Sequence, residues 1–287
     1  MKPLLAVDAP SMLFRAFYAL PSTIKGSDGQ PVNALLGGAN LILREVEKHK
    51  PRAVVLCYGP DAAHYRVELL PEYHADREEL PEEFAPQFAD SRDFFEAFGW
   101  TVASDDSLEA DDLLGTYARL EDEAGGKALL LTGDRDMFQC VNQRVRMLYV
   151  RTGSPGSEEI GPKEVKERYG IPPALVPDFI ALRGDPSDGI PGAKGVGPKT
   201  AAELLRKRGS LEAVLDAAIR ETRPKLRTTL VESREDLLAY KEIATLQDAP
   251  VGRPRDKRTD WRGAATAARE RGMKRLAERL QAAEPDN

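Results

Sequence analysis

Ala128-Leu129-Leu130-Leu131-Thr132-Gly133-Asp134-Arg135-Asp136 is a short apolar run that stops at a Thr-Gly step and delivers two carboxylates at alternate positions. Such a run, closed by glycine and aspartate, reads as a buried strand. The same form recurs at Leu4-Leu5-Ala6-Val7-Asp8 and from Ala53 to Tyr58, which runs into Gly59. Helix-length stretches lie between them, at roughly 34–49, 85–98 and 109–124, and Val145 to Val150 offers another strand. Alternation of this kind predicts an α/β domain with a largely parallel sheet. In open sheets of that class ligands bind beyond the carboxyl ends of the strands, where Asp8, Gly59 and Asp134 fall.

The 287 residues, 41% of them hydrophobic, suffice for one large domain or two smaller ones and exclude a disordered chain. Cys57 and Cys140 cannot build a disulfide framework or a zinc site, and both read as core fillers. The opening apolar run is too short for a signal peptide and no other run approaches membrane length, so a soluble cytoplasmic protein is expected. The net charge of −6 hides an asymmetry. Residues 1–150 carry 15 Lys and Arg against 25 Asp and Glu, whereas residues 151–287 carry 26 against 22. An acidic front and a basic rear suit a carboxylate site coupled to a phosphate-gripping module, although surface bias alone produces the same pattern.

Gly153-Ser154-Pro155-Gly156 reads as a linker, which divides the chain into an α/β part at 1–155 and a helical part at 156–287. Helices are expected at Pro162–Tyr169, Pro173–Arg183, Thr200–Lys207 and Leu211–Ile219, with one amphipathic helix from Trp261 to Gln281. Residues 61–84 are rich in glutamate and poor in large apolar groups, which predicts an excursion from the sheet.

Carboxylates recur where these elements end. Glu109-Ala110-Asp111-Asp112 opens a predicted helix, Asp134 and Asp136 follow a strand, Asp185 and Asp188 follow the helix ending near Arg183, and Asp8 closes the first strand. Any one of them reads as a cap or a turn acid. Converging together, they would repel without counter-ions. Oxygen-only donors without His or Cys favour Mg²⁺ or Mn²⁺, and two such ions about 4 Å apart can drive phosphodiester hydrolysis. Directly behind Asp188, Pro191-Gly192-Ala193-Lys194-Gly195-Val196-Gly197-Pro198-Lys199-Thr200 places glycines and lysines ahead of a helix N-terminus, a pattern that grips backbone phosphate.

Taken in chain order, these stretches resemble the 5′ nuclease family, which comprises the 5′-to-3′ exonuclease domain of bacterial DNA polymerase I and the free-standing flap endonucleases. Tyr65-Arg66, Pro71-Glu72-Tyr73 and Met137 extend the match, which covers about residues 1–250. With no polymerase region in the sequence, a free-standing nuclease is expected. The resemblance implies a PIN-like α/β domain with a helical arch over the site, at about 61–93, and a helix-3-turn-helix module of helix-hairpin-helix type at about 175–210. It further implies that Asp8, Glu109 and Asp111 hold one metal ion and Asp134, Asp136, Asp185 and Asp188 a second, with Asp112 between them. Arg77 would meet the scissile phosphate, with His74, Asp134 and Asp136 also taking part in catalysis. Contacts to DNA would come from Arg15, Arg66, Lys194, Gly195, Gly197, Lys199 and Thr200, and from Tyr73 stacking on a base. A K⁺ would sit at the turn around Gly192–Gly197. The implied partner is nicked or branched duplex DNA bearing a 5′ flap, bound by a monomeric, nucleoid-associated enzyme.

Three positions depart from the family pattern. Gly59 stands where an Asp is usual, and Asp61 is the nearest carboxylate to replace it. His74 takes the place of a lysine, so activity that depends on its charge should fall as pH rises through about 6 to 7. Gly189 replaces an Asn. With the acidic arch, these changes leave two alternatives: a junction-binding protein without turnover, and a PIN-like ribonuclease.

Overall fold

The computed structural model of the protein describes residues 2–75, 77, 80–151 and 156–284. A six-stranded sheet runs in the order β3-β2-β1-β4-β5-β6, formed by β1 (Leu4–Asp8), β2 (Ala53–Tyr58), β3 (Thr101–Ser104), β4 (Ala128–Thr132), β5 (Val145–Val150) and β6 (Ser157–Ile160). All neighbours are parallel except β5 and β6. The first half of the chain supplies helices α1 (Ala9–Ala19), α2 (Asn33–His49), α3 (His64–Leu69), α4 (Ala85–Glu96) and α5 (Ala110–Glu123). The second half supplies α6 (Pro162–Tyr169), α7 (Val176–Arg183), α8 (Pro198–Arg208), α9 (Leu211–Asp216), α10 (Pro224–Glu232), α11 (Arg234–Ala244), α12 (Trp261–Glu270) and α13 (Lys274–Ala282).

Strand alternation distributes the core to two faces. Leu5, Val7, Val54, Leu56, Leu129 and Leu131 face α1, α2, α4 and the α12–α13 pair, whereas Leu4, Ala6, Val55, Cys57 and Leu130 face α5 and the helices of the second half. The chain winds outward from β1 through β2 to β3 and then crosses back to β4 on the other side of β1, so the sheet has its switch point between the carboxyl ends of β1 and β4. Gly37 and Gly38 are buried in α2 against α1 and α4, so they serve helix packing rather than an external ligand.

The expected division of the chain at residue 155 is corrected. Residues 157–160 return to the sheet as β6, and residues after 248 fold back across the first half. The expected terminal helix is two helices, broken at Gly272 where φ is +75°. The segment 253–258, largely exposed and without regular secondary structure, is tied to the first half by its side chains and backbone. Arg52 donates to the Pro254 carbonyl and to Asp256, and Arg52 and Arg253 both chelate the fully buried Glu121. Among the described residues no helix is long and apolar enough to cross a membrane.

Burial alone pushes Glu121 up, but the bonds from Arg52 and Arg253 prevail and hold it below the ordinary glutamate range. Its stabilisation is therefore present above about pH 4.3 and is lost as pH falls through the lower folded value. Glu121→Gln should destabilise the protein at pH 7 by about 3–5 kcal/mol, because it leaves two arginines uncompensated. Urea unfolding measures the loss, and the gap from the wild type should narrow below about pH 4.

Candidate functional site

A cavity of about 1150 Å³ opens at the carboxyl ends of β1 and β4, and Asp8, Glu109, Asp111, Asp134, Asp136, Asp185 and Asp188 all line it. Asp8 ends β1 and caps α1, accepting from Ser11 N at 3.0 Å and from Thr132 Oγ1 at 2.7 Å. Asp134 caps the 3-10 turn Arg135–Cys140 and accepts from Asp136 N at 2.9 Å. Asp111 lies in the first turn of α5. The sheet switch point and two element N-termini thus aim four carboxylates into one cleft.

Burial raises Asp8 above the ordinary aspartate range despite the bonds from Thr132 and Ser11 and the charge of Arg15. Burial, reinforced by neighbouring carboxylates, pushes Asp111 and Asp136 well above that range and Asp134 up to about 6. Among the described residues none of these four forms an ion pair, whereas the other cleft carboxylates have protein partners. Asp185 receives Arg183 at 2.6 Å, and Asp188 faces His74 at 3.2 Å and Arg77 at 3.5 Å. Glu109 accepts from Ala63 N at 2.7 Å and from Tyr73 Oη at 3.2 Å, and pairs with Arg66 at 3.0 Å.

An all-oxygen donor set with uncompensated, mutually repelling charge fits hard divalent cations. Among the described residues no three His, Cys, Asp or Glu side chains close into a ready-made ion cage. An open acidic ring of this kind suits hydrated Mg²⁺, which takes one or two carboxylates and keeps several waters, better than a dehydrated structural ion.

Three expected site residues are engaged inside the protein: Asp112 does not line the cleft, and Arg66 and Tyr73 line it but are held by neighbouring groups. Asp112 is fully buried and accepts from Arg66 Nη2 (2.9 Å), Gln247 N (2.8 Å) and Glu109 N (3.1 Å), so it is a structural anchor and no ligand. Arg66 is only 2% exposed, clamped by Glu109, Asp112 and the Ile243 carbonyl, and cannot reach DNA. Tyr73 is 6% exposed, with its ring stacked on His74 and its hydroxyl on Glu109, which leaves no face for a base. The described part of the arch segment lies against the cleft rather than standing clear of it, and its acids Asp76, Glu78 and Glu79 lie outside the described residues.

The departures have physical reasons. A Cβ at Gly59 would stand 2.4 Å from the Leu108 carbonyl and 2.7 Å from Ala110 N, so the close approach of the loop before α5 excludes a side chain there. Gly189, with φ +74°, lies against the Glu72 carbonyl, which a Cβ would meet at 2.7 Å. Arg15 lines the cleft and donates to the Gly133 carbonyl at 3.1 Å, and Arg77 lines its mouth. Away from the cleft, α7 and α8 flank a turn in which Lys194, Gly195, Gly197 and Lys199 are exposed; Gly197 caps α8, and Thr200 lies in its first turn. Nothing lies within 4 Å of a Cβ built at Gly195 or Gly197, so an external group can approach the backbone. Sequence reasoning missed Thr132 and Arg183. Thr132 sits at the strand end beside Gly133, a readable signal, whereas nothing in the sequence marks Arg183 as the partner of Asp185.

Residues 3–170 match the family described as 5′-3′ exonuclease, N-terminal resolvase-like domain, and residues 171–261 match its C-terminal SAM fold. A 5′-3′ exonuclease of Mycobacterium tuberculosis is 38% identical over 273 residues, covering 87% of this chain and 85% of the relative. DNA polymerase I of Mycobacterium bovis is 36% identical over 255 residues, covering 88% of this chain but only 28% of the polymerase. Among solved structures, T5 5′-exonuclease with bound divalent zinc ions shares the fold at a TM-score of 0.72 with 18% identity, covering 98% of each chain. The catalytic core of Rad2 in complex with DNA substrate does so at 0.62 with 14% identity, covering 97% of this chain and 92% of its own. From these matches, the chain belongs to the 5′-3′ exonuclease family.

Proposed function

We propose that this chain is a structure-specific 5′ nuclease, a 5′-3′ exonuclease and flap endonuclease that hydrolyses DNA phosphodiester bonds in primer removal, flap processing and repair. The observation that carries this reading is the set of cleft carboxylates, buried Asp8 and partly buried Asp111, Asp134 and Asp136, with no ion pair among the described residues, at the switch point of the sheet. Mg²⁺ or Mn²⁺ held there would supply an activated water and stabilise the leaving oxygen. Glu109, Asp185 and Asp188 complete the ring, and each of the three is already paired with an arginine, Arg66, Arg183 and Arg77 respectively.

The remaining roles belong to the chain itself. Arg77 and Arg15 present positive charge to a phosphate entering the cleft. Lys194, Lys199, Thr200 and the free N–H groups at the start of α8 hold the duplex backbone, and the open space around the backbone at Gly195 and Gly197 is where a K⁺ would bridge to a phosphate. Backbone contacts of this kind read shape rather than sequence, which suits a nicked or 5′-flapped duplex bound by a monomer in the cytoplasm, at the nucleoid.

Cleavage of an end-labelled 5′-flap duplex with Mg²⁺, with Mn²⁺ and without metal tests the reading. Metal-dependent incision at the junction is expected, and Asp134→Ala should lower kcat by about 100-fold or more. Tight binding without incision under any metal would favour the junction-binding alternative that Gly59 and the paired Asp185 and Asp188 suggest, and preference for an RNA flap would favour a ribonuclease. Lys199→Ala should weaken duplex binding uniformly across sequences and lower its salt slope by about one.

A stability measurement follows from Asp134. Its folded value of about 6 lies above the unfolded one, so its ionisation weakens the fold as pH rises through that interval. Metal-free protein should therefore be more stable at pH 5 than at pH 8. Asp134→Asn should stabilise it at pH 8 by about 1–3 kcal/mol and should reduce the further stabilisation that added Mn²⁺ gives the wild type.

A further inference from the structure

The loop 59–63 leaves the carboxyl end of β2 beside the cleft, and Asp61 makes contacts there that the metal reading does not use. Asp61 Oδ1 accepts from Arg77 Nη1 at 2.7 Å, and the Asp61 carbonyl accepts from His74 Nδ1 at 2.6 Å and from Arg77 Nη1 at 3.5 Å. The far ends of the same two side chains reach Asp188, His74 Nε2 at 3.2 Å and Arg77 Nη2 at 3.5 Å. Two basic side chains therefore span the mouth of the cleft, from the loop after β2 to the turn after α7.

The two ends of the bridge differ in rigidity. His74 is fixed, with its side chain 4% exposed, its ring stacked on Tyr73 at a centroid distance of 3.8 Å, and its backbone left-handed with φ +56°. Arg77 is 41% exposed, and among the described residues its nearest charged partner is Asp61, itself 70% exposed. An exposed pair of this kind adds little to stability, so its consequence is geometric. Without the carboxylate, Arg77 keeps among the described residues the 3.5 Å approaches to the Asp61 carbonyl and to Asp188, and the Asp188 charge draws it toward the cleft. Gly59 has no room for a carboxylate, and the side chain of Asp61, the nearest one, is turned to the Arg77 guanidinium.

We propose that Asp61 is a positioning residue: it holds the Arg77 guanidinium at the mouth of the cleft, where it meets the incoming phosphate, and keeps it from closing further onto Asp188. The inference rests on the nuclease reading given above, in which Arg77 faces the phosphate. Orientation of this kind acts on the reacting geometry more than on overall affinity.

Steady-state cleavage of a 5′-flap duplex across a Mg²⁺ titration tests it, with the wild type, Asp61→Asn, Asp61→Glu, Arg77→Ala and the Asp61→Asn/Arg77→Ala double variant. Asp61→Asn should lower kcat about ten-fold and change KM by less than about two-fold, with the Mg²⁺ half-saturation and the thermal midpoint unchanged. Asp61→Glu should recover most of the loss. In the Arg77→Ala background, Asp61→Asn should add less than about a two-fold effect, since the two residues act as one unit. Losses that multiply in the double variant, an unchanged kcat in Asp61→Asn, or a shifted Mg²⁺ half-saturation that makes Asp61 a metal ligand would each overturn the inference. Wild-type protein without metal-dependent cleavage would overturn the nuclease reading itself, a failure visible in the wild-type arm alone.

Discussion

Like charges forced together in a dry place govern this molecule. Parallel strands β1 and β4 end side by side at the switch point, and their terminal residues deliver Asp8 and, after a glycine, Asp134 and Asp136 to the same cleft. α5 adds Asp111 from across the sheet. Burial raises all four above the ordinary aspartate range, and repulsion between carboxylates adds to it at Asp111, Asp134 and Asp136. Such a cluster costs stability, and in the proposed reading divalent cations would relieve that repulsion.

Elsewhere the structure takes the opposite course and neutralises its buried charge with arginine. Arg66 joins α3 to Glu109 and Asp112 of the α5 start and to the α11 backbone, and Arg52 with Arg253 closes on Glu121 at the far end of α5. Helix α5 is thus pinned at both ends by ion pairs that tie the second half of the chain to the first. The contrast sharpens the functional reading. A chain that compensates its structural acids this thoroughly leaves Asp8, Asp111, Asp134 and Asp136 without such partners among the described residues.

Much of this was legible in the sequence because it is local. The strands at 4–8, 53–58, 128–132 and 145–150 are apolar runs with clear stops, and the carboxylates at their ends follow directly. Short strands such as Thr101–Ser104 and Ser157–Ile160 carry no such contrast and were not legible. Neither was the return of residues 248–284 to the sheet, since ion pairs such as Arg52–Asp256 link positions far apart in the chain. Within the site, residue type alone does not separate a free carboxylate from an anchored one. Asp111 and Asp112 are adjacent on α5, yet the helix turns one into the cleft and the other onto Arg66. Tyr73 and Arg66 failed as DNA contacts for the same reason, because burial is decided by tertiary packing.

The most direct test of the central claim is crystallographic. Crystals of the protein soaked in Mn²⁺ and measured at the manganese absorption edge should show anomalous peaks within the ring formed by Asp8, Asp111, Asp134 and Asp136, and these should vanish in Asp134→Ala crystals. An ordered cleft with no peak there, or peaks only at surface carboxylates outside it, would contradict the account.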